Sequence, residues 1–388
     1  MMPTTIEAEG RRPRPPGEVA DLCLQPHRDR SRRYVVDMAG GAKRSVDILR
    51  PDAVLRLVDH GRDPEAIGAF SDQPMVAVAV DDDPLVNEVV GITRSLPCVT
   101  VGVARGPVDL TSAPAFDIVV TEAASPPRPW VGCPDIDLAL LRLATAVQQA
   151  PAAAIALTQL LRSSAGLPVG DALVMESFAY SMLQSGPHHH QWLTGRGTIA
   201  PDRRSEPPVL THRDGGLLTL ILNRPHVHNA FDATMRDAMV RMFTMAAADP
   251  SVTAISLSGA GRSFCSGGDL TEFGTVADPV TAHLIRTTRG VGRWIHQCAD
   301  RTTALVHGAC IGAGVELPAF AGRVVARPDS SFQLPEVSMG LIPGAGGTVS
   351  LPRRIGRERT AYLAITGVPI DSDDALAWGL VDAIEPAP

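Results

Sequence analysis

The sequence predicts an α/β fold in two domains, on three observations: its length, a repeated alternation of strand-like and helix-like segments, and glycine-rich turns where strands give way to helices. At 388 residues the chain exceeds one typical domain. Its 45% hydrophobic and 20% charged residues supply enough apolar material for sizeable cores. Aromatics make up only 4%, so those cores must lean on Val, Ala, Leu and Ile.

At the N-terminus Arg11, Arg12, Arg14, Arg28, Arg30, Arg32 and Arg33 sit among prolines. Glu7, Glu9, Glu18 and Asp21 are wrong for a targeting peptide, and residues 1–33 read as a solvated, disordered tail. A first domain is expected over residues 34–198. Val46 to Asp59 has helical spacing broken by Pro51, Met75 to Val80 is a short β-branched run, and Leu85 to Leu96 reads as a helix closed by Pro97. Cys98 to Ala104 and Phe116 to Thr121 read as strands. Residues 139–193 form a helical block, with helices expected over Ala139 to Val147, Ala152 to Leu161 and Asp171 to Leu183.

A stretch rich in Gly, Pro and alternating charge reads as a linker over residues 199–214. In the second domain, residues 215–388, Gly216 to Leu222 and Val252 to Leu257 are strands flanking a helix over Ala230 to Ala248. Thr303 to His307, Gly312 to Ala321 and Arg323 to Ala326 repeat the strand–helix–strand order, and such alternation predicts layers of sheet and helix.

The net charge of -7 argues against a nucleic-acid surface, which needs a clustered positive field. No apolar run of about 18 residues is present to span a membrane. The six cysteines are scattered with no paired spacing, which reads as reduced thiols in a cytoplasm, without zinc. His188, His189 and His190 are adjacent and so point different ways; they read as an exposed polar turn, and no metal is expected there. Trp192 and Trp378 read as packing residues.

Three glycine-rich segments carry the chemistry: Phe264-Cys265-Ser266-Gly267-Gly268-Asp269, Gly308-Ala309-Cys310-Ile311-Gly312-Ala313-Gly314-Val315-Glu316, and Ile342-Pro343-Gly344-Ala345-Gly346-Gly347-Thr348. Glycines where a strand enters a helix let backbone N–H groups approach a ligand, and the helix dipole favours negative charge there. The arrangement is an oxyanion hole in prospect. With Asn223-Arg224-Pro225 upstream and Phe332-Gln333-Leu334-Pro335-Glu336 downstream, the order of these segments resembles the enoyl-CoA hydratase/isomerase (crotonase) superfamily, from about Val209 to Glu385.

The resemblance implies a crotonase-like ββα superhelix and an acyl-CoA thioester as substrate, with no cofactor beyond the coenzyme A of the substrate. It places Gly268 and Ala313 at the two N–H groups that hold the thioester oxygen, and Glu316 and Glu336 at the two catalytic glutamates. In hydratases such a pair brackets a water: one carboxylate takes its proton as oxygen attacks C3, and the other donates to C2. His226, Val227, His228 and the stretch Gly268, Asp269, Leu270, Thr271 match the positions that hold CoA, with His226 where a lysine is common. Possession of both glutamates points to an enoyl-CoA hydratase; an isomerase and a non-catalytic acyl-CoA-binding pseudoenzyme are the alternatives. The family also implies a trimer-based homo-oligomer. Two departures stand out. Pro318 falls inside the helix expected to start near Gly312 and should kink it, and Gly322-Arg323 replaces an Asp followed by an apolar residue.

The first domain resembles a worn copy of the second. Cys98 to Gly106 parallels Thr303 to Gly308, and Phe116 to Val120 parallels Ala321 to Val325, but the first copy has no equivalent of the Gly267-Gly268 or Gly312-to-Glu316 segments and should be catalytically dead. Family members continue beyond the point matching Leu380-Val381-Asp382 with helices that cover the acyl pocket. The segment resembling those helices is Ala154 to Arg196, so it is expected to pack over Glu316 and Glu336, presenting Leu157, Leu160, Leu161, Leu173, Phe178 and Met182.

Overall fold

The structure, a computed structural model, describes residues 32–37, 43–60, 67–71, 73–81, 85–108, 110–111, 113–197, 206–276 and 278–386. The tail expected over residues 1–33 lies outside this range except for Arg32 and Arg33, which begin strand β1 (Arg32–Asp37). Residues 32–388 form one compact unit.

Two six-stranded sheets repeat one pattern. In the first, β1 pairs antiparallel with β2 (Lys43–Leu49), and β3 (Met75–Ala79), β4 (Val99–Ala104), β5 (Ile118–Thr121) and β6 (Val131–Gly132) add in parallel. In the second, β7 (Val209–Asp214) pairs antiparallel with β8 (Leu217–Leu222), and β9 (Ala254–Gly259), β10 (Thr302–Val306), β12 (Arg323–Ala326) and β15 (Ala383–Ile384) add in parallel. Hairpin first, then parallel strands in chain order, is the shared plan. The first half is therefore a degenerate structural copy of the second, with β4 and β5 answering to β10 and β12 as their sequences suggest.

What the first copy lacks is a layer. A small sheet of β11 (Ala309–Ile311), β13 (Ser331–Gln333) and β14 (Ile370–Asp371) occurs only in the second half among the described residues. It carries the glycine turn at Gly312, which therefore has no counterpart in the first copy among the described residues.

Helices fill the crossovers. In the first half α1 (Pro51–His60) and α2 (Val86–Thr93) flank β3, and the spacing read as one interrupted helix over Val46 to Asp59 resolves into β2 and α1 on either side of Arg50. The helical block is α3 (Ile136–Gln149), α4 (Pro151–Ser163), α5 (Val169–Gln184) and α6 (Pro187–Gly195). Asp135 caps α3 by accepting from the Leu138 N–H at 2.9 Å, and Pro151 opens α4, where its missing N–H is no loss. Beyond the linker, which is shorter than expected because Val209–Asp214 is already β7, follow α7 (Ala233–Ala248), α8 (Pro279–Arg289) and α9 (Val291–Gln297). The helix expected over Gly312 to Ala321 is only α10 (Ala313–Glu316), continued as a 3₁₀ turn from Pro318, because proline cannot supply the next backbone bond. Then come α11 (Gly347–Ile355), α12 (Arg357–Thr366) and α13 (Ser372–Trp378).

The halves share one apolar core that runs from Val101 and Leu140 through Leu157 to Leu257, Val349 and Leu363. Polar bonds fasten the seam: Arg359 Nε donates to the Trp130 carbonyl at 3.0 Å, and Arg128 donates to the Pro352 and Arg354 carbonyls at 3.0 Å each. Gly322 fits because its N–H donates to Ala299 at 3.0 Å, and a β carbon there would meet the same carbonyl.

Candidate active site

The first oxyanion segment is held by a buried asparagine. Asn229, at φ 55°, accepts from the Arg224 N–H at 2.7 Å and donates to the carbonyls of Ala260, Ser263 and Phe264. Its amide thereby fixes the loop that leads to Gly267 and Gly268. Phe231 N–H donates to the Gly267 carbonyl at 2.7 Å and Asp269 N–H to the Phe231 carbonyl at 3.0 Å, which leaves Gly268 N–H between them directed elsewhere.

The second segment turns at Gly312, whose φ of 51° and ψ of -117° suit glycine alone. Its N–H donates to Gln333 at 2.9 Å, and Ala313 then opens α10. Gly267 lies against this turn: a β carbon on it would stand 3.1 Å from the Ile311 carbonyl oxygen and 3.9 Å from Gly312 Cα. Among the described residues neither Gly268 N–H nor Ala313 N–H donates to a protein acceptor, and both residues line one cavity of ≈ 460 Å³. Two backbone donors without protein acceptors, on residues that line one cavity, are what an oxyanion would need.

Glu316 and Glu336 line the same cavity, in unlike surroundings. Glu316 Oε2 accepts from Ala345 N–H at 2.7 Å and Gly347 N–H at 2.8 Å, donors at the start of α11. Burial pushes its carboxyl up, and those two N–H bonds oppose the rise. Glu336 Oε2 is buried with no hydrogen-bond partner. Burial, and then the charge of Glu316, push its carboxyl well above the ordinary range, which favours its protonated form.

A third glutamate was not apparent from the sequence. Glu176, on α5, is buried and lines this cavity. Its Oε1 accepts from Gly346 N–H at 2.9 Å; its Oε2 accepts from Thr348 N–H at 3.0 Å and Thr348 Oγ1 at 2.7 Å. The four N–H groups at the start of α11 are thus taken alternately by a glutamate from each half of the chain. Burial, and next the charge of Glu316, raise the Glu176 carboxyl against the pull of these bonds.

The helical block does lie over the cleft, and of the residues expected to face it Leu173 lines the cavity while the other five do not. Leu173, Glu176, Ser177 and Tyr180 line the cavity, a spacing of three and four that marks one side of α5. Leu157, Leu160 and Leu161 are buried in the shared core. Phe178 and Met182 instead face solvent, 55% and 61% exposed, with Phe178 stacked on His283 at 4.3 Å. Hydrophobicity placed Leu173 correctly but Phe178 and Met182 wrongly, because the inward face of α5 also carries polar groups. His189 is likewise no exposed turn: it is buried on α6, its Nδ1 3.0 Å from the Met339 carbonyl.

Of the positions matched to CoA, only Gly268 borders the cavity. His226 and His228 are exposed around a 3₁₀ turn at Pro225–Val227, and His228 Nδ1 lies 3.0 Å from Ser263 Oγ. Asp269 is a lock for its own loop: it pairs with Arg224 at 2.8 Å and accepts from Thr271 N–H and Oγ1 at 2.9 and 2.7 Å. Burial opposes its ionisation, but the bonds from Thr271 and Arg224 prevail and hold it below the usual range. Leu270 and Thr271 continue that loop as a 3₁₀ turn.

The enoyl-CoA hydratase/isomerase family model matches residues 212–388. A probable enoyl-CoA hydratase of Mycobacterium tuberculosis (strain CDC 1551 / Oshkosh) is 32% identical over 183 residues, 46% of this chain and 69% of the relative. The chain belongs to the enoyl-CoA hydratase/isomerase family. A 1,2-epoxyphenylacetyl-CoA isomerase of Escherichia coli (strain K12) is also 32% identical, over 180 residues that make up 45% of this chain and 68% of the relative. Crotonase relatives of equal similarity therefore differ in reaction, and the choice among them rests on the site. An enoyl-CoA hydratase structure from Mycobacterium smegmatis is 34% identical and covers 47% of this chain and 71% of its own, with a TM-score of 0.43.

Proposed function

We propose that the chain adds water to a 2-enoyl-CoA thioester. The thioester oxygen accepts from Gly268 N–H and Ala313 N–H, which strengthen their hold as charge moves onto it during attack. Glu316 takes a proton from the water whose oxygen bonds to C3, and Glu336 delivers its own proton to C2 as the enolate collapses. One H and one OH are added across the double bond. The proton gained by Glu316 then returns to Glu336 through solvent before the next turnover.

The observation that supports this reading is the unlike condition of the two glutamates: Oε2 of Glu316 is held by two N–H donors, whereas Oε2 of Glu336 is buried without a partner. A shift of a double bond can be run by one acid–base group, while water addition uses a base and an acid at once. Incubation with crotonyl-CoA, followed by loss of the enoyl absorbance, tests the proposal. Glu336→Gln is expected to lower kcat by about 10²-fold or more, since it removes the acid and little volume. Turnover near wild type in that variant would take Glu336 out of the mechanism, and no hydration by the unaltered chain would leave an isomerase or a binding protein.

A further inference from the structure

Four arginines line the cavity that holds the glutamates: Arg236, Arg286, Arg289 and Arg293. Arg236 and Arg289 both pair with Asp237, at 2.9 and 3.0 Å. Arg293 is exposed, its guanidinium 5.3 Å from the Trp294 ring. Arg286 is in a different position. Among the described residues no carboxylate pairs with it, and its bonds run to neutral groups of α5: Nε to Ser177 Oγ at 3.2 Å, Nη1 to Gln184 Oε1 at 3.4 Å, and Nη2 to Ser181 Oγ at 2.5 Å. Its face lies 4.5 Å from the centre of the Tyr180 ring.

Three of the five N–H groups of the guanidinium are thereby used, leaving one on each terminal nitrogen. Glu176 is in electrostatic reach, but its oxygens are already taken by Gly346 and Thr348. Arg286 is half-buried, where a guanidinium without a paired anion is costly, and it is locked in orientation by four neighbours. The site is built for an anion that the protein does not supply.

We propose that this anion is a carboxylate at the far end of the acyl group, so that the substrate is the CoA monothioester of a dicarboxylic acid and Arg286 selects it. The inference rests on the acyl-CoA reading of the cavity. A planar carboxylate matches the two remaining N–H groups in a way that a methyl terminus cannot. The phosphates of CoA are the other possible anions, and the placement of Arg286 disfavours them. It is fastened to Tyr180, whose ring packs where a β carbon of Gly344 would stand, and Gly344 precedes the Ala345 N–H that binds Glu316. Arg286 thus belongs to the wall behind the reacting carbons, whereas His226 and His228, expected at the CoA end, do not border this cavity.

The test is the affinity of the whole chain, by calorimetry, for saturated thioesters that cannot be hydrated: adipyl-CoA against hexanoyl-CoA, and glutaryl-CoA against pentanoyl-CoA. In at least one pair the carboxylate-bearing member is expected to bind about 10-fold or more tightly than its partner. Arg286→Gln should bring that ratio close to one, with Arg286→Lys between. Ratios at or below one in both pairs for the unaltered chain would overturn the proposal, and need no variant to have folded. Equal weakening of free CoA, hexanoyl-CoA and adipyl-CoA in Arg286→Gln would also overturn it, by assigning the anion to a CoA phosphate. Because these ligands report binding alone, a chain that prefers adipyl-CoA yet hydrates neither crotonyl-CoA nor the 2-enoyl counterpart of adipyl-CoA would refute the hydratase and retain the specificity.

Discussion

Gly312 shows how narrowly the backbone is set around the reacting groups. Its φ of 51° lies where a side chain is strained, and a β carbon would overlap Glu336 Oε1. Alanine at this position must push the Glu336 carboxyl aside and twist the Ala313 N–H away from its direction. Gly312→Ala is expected to lower kcat for crotonyl-CoA by about 10²-fold, since a displacement near 1 Å can cost that much, and to destabilise the fold by about 1–2 kcal/mol. Steady-state kinetics and thermal melting check the two effects separately. A kcat within about twofold of wild type would mean that Glu336 tolerates displacement and is not held in place by this contact.

The start of α11 is the element on which the two halves meet chemically. Its first N–H groups would be orphans, and the positive end of its dipole favours the carboxylates of Glu316 and Glu176 that accept from them. Glu176→Ala strands the Gly346 and Thr348 N–H groups and the Thr348 hydroxyl, at a cost of about 1–3 kcal/mol for a group left buried and unpaired. The pH dependence has a definite sign. Burial and Glu316 raise the Glu176 carboxyl above its ordinary 4.5, so the native state takes up a proton on folding once the pH exceeds that value. The contribution of Glu176 is fully present below pH 4.5 and is lost as pH rises through its raised value, and the penalty in Glu176→Ala should shrink accordingly between about pH 5 and about pH 9. Thermal melts across that range decide; a penalty that grows with pH would show that the helix end holds Glu176 ionised.

Taken whole, residues 32–388 hold two copies of one sheet plan, of which only the second has the small sheet bearing Gly312 among the described residues. The first copy is not idle mass, because its helices α3, α4 and α5 share the core with α11 and α12 and bring Glu176 and Tyr180 to the cavity. Without them the apolar faces of Val349, Leu351 and Leu363, all buried in the intact chain, would meet water, an aggregation-prone surface. Residues 205–388 expressed alone are therefore expected to be aggregated or inactive, as read by light scattering and crotonyl-CoA turnover. A monodisperse fragment as active as the whole chain would reduce the first half to a passenger.

The α/β layering and the strands β8, β9, β10 and β12 were legible in the sequence, because glycine turns and strand periodicity are local and leave their mark residue by residue; Gly268, Ala313, Glu316 and Glu336, which line one cavity, were singled out by the family resemblance of their motifs. The repeat in the first half was legible through β4 and β5, the two strands whose β-branched runs still match. Tertiary structure decided the rest. That Glu176, Tyr180 and Arg286 reach the cavity follows from how α5 packs against α8 and α11, and no local pattern announces a polar face turned inward: Phe178 and Met182 look more like lid residues and point to water. The unlike surroundings of Glu316 and Glu336 were equally invisible, since the two are the same side chain until burial and the N–H groups of Ala345 and Gly347 set them apart.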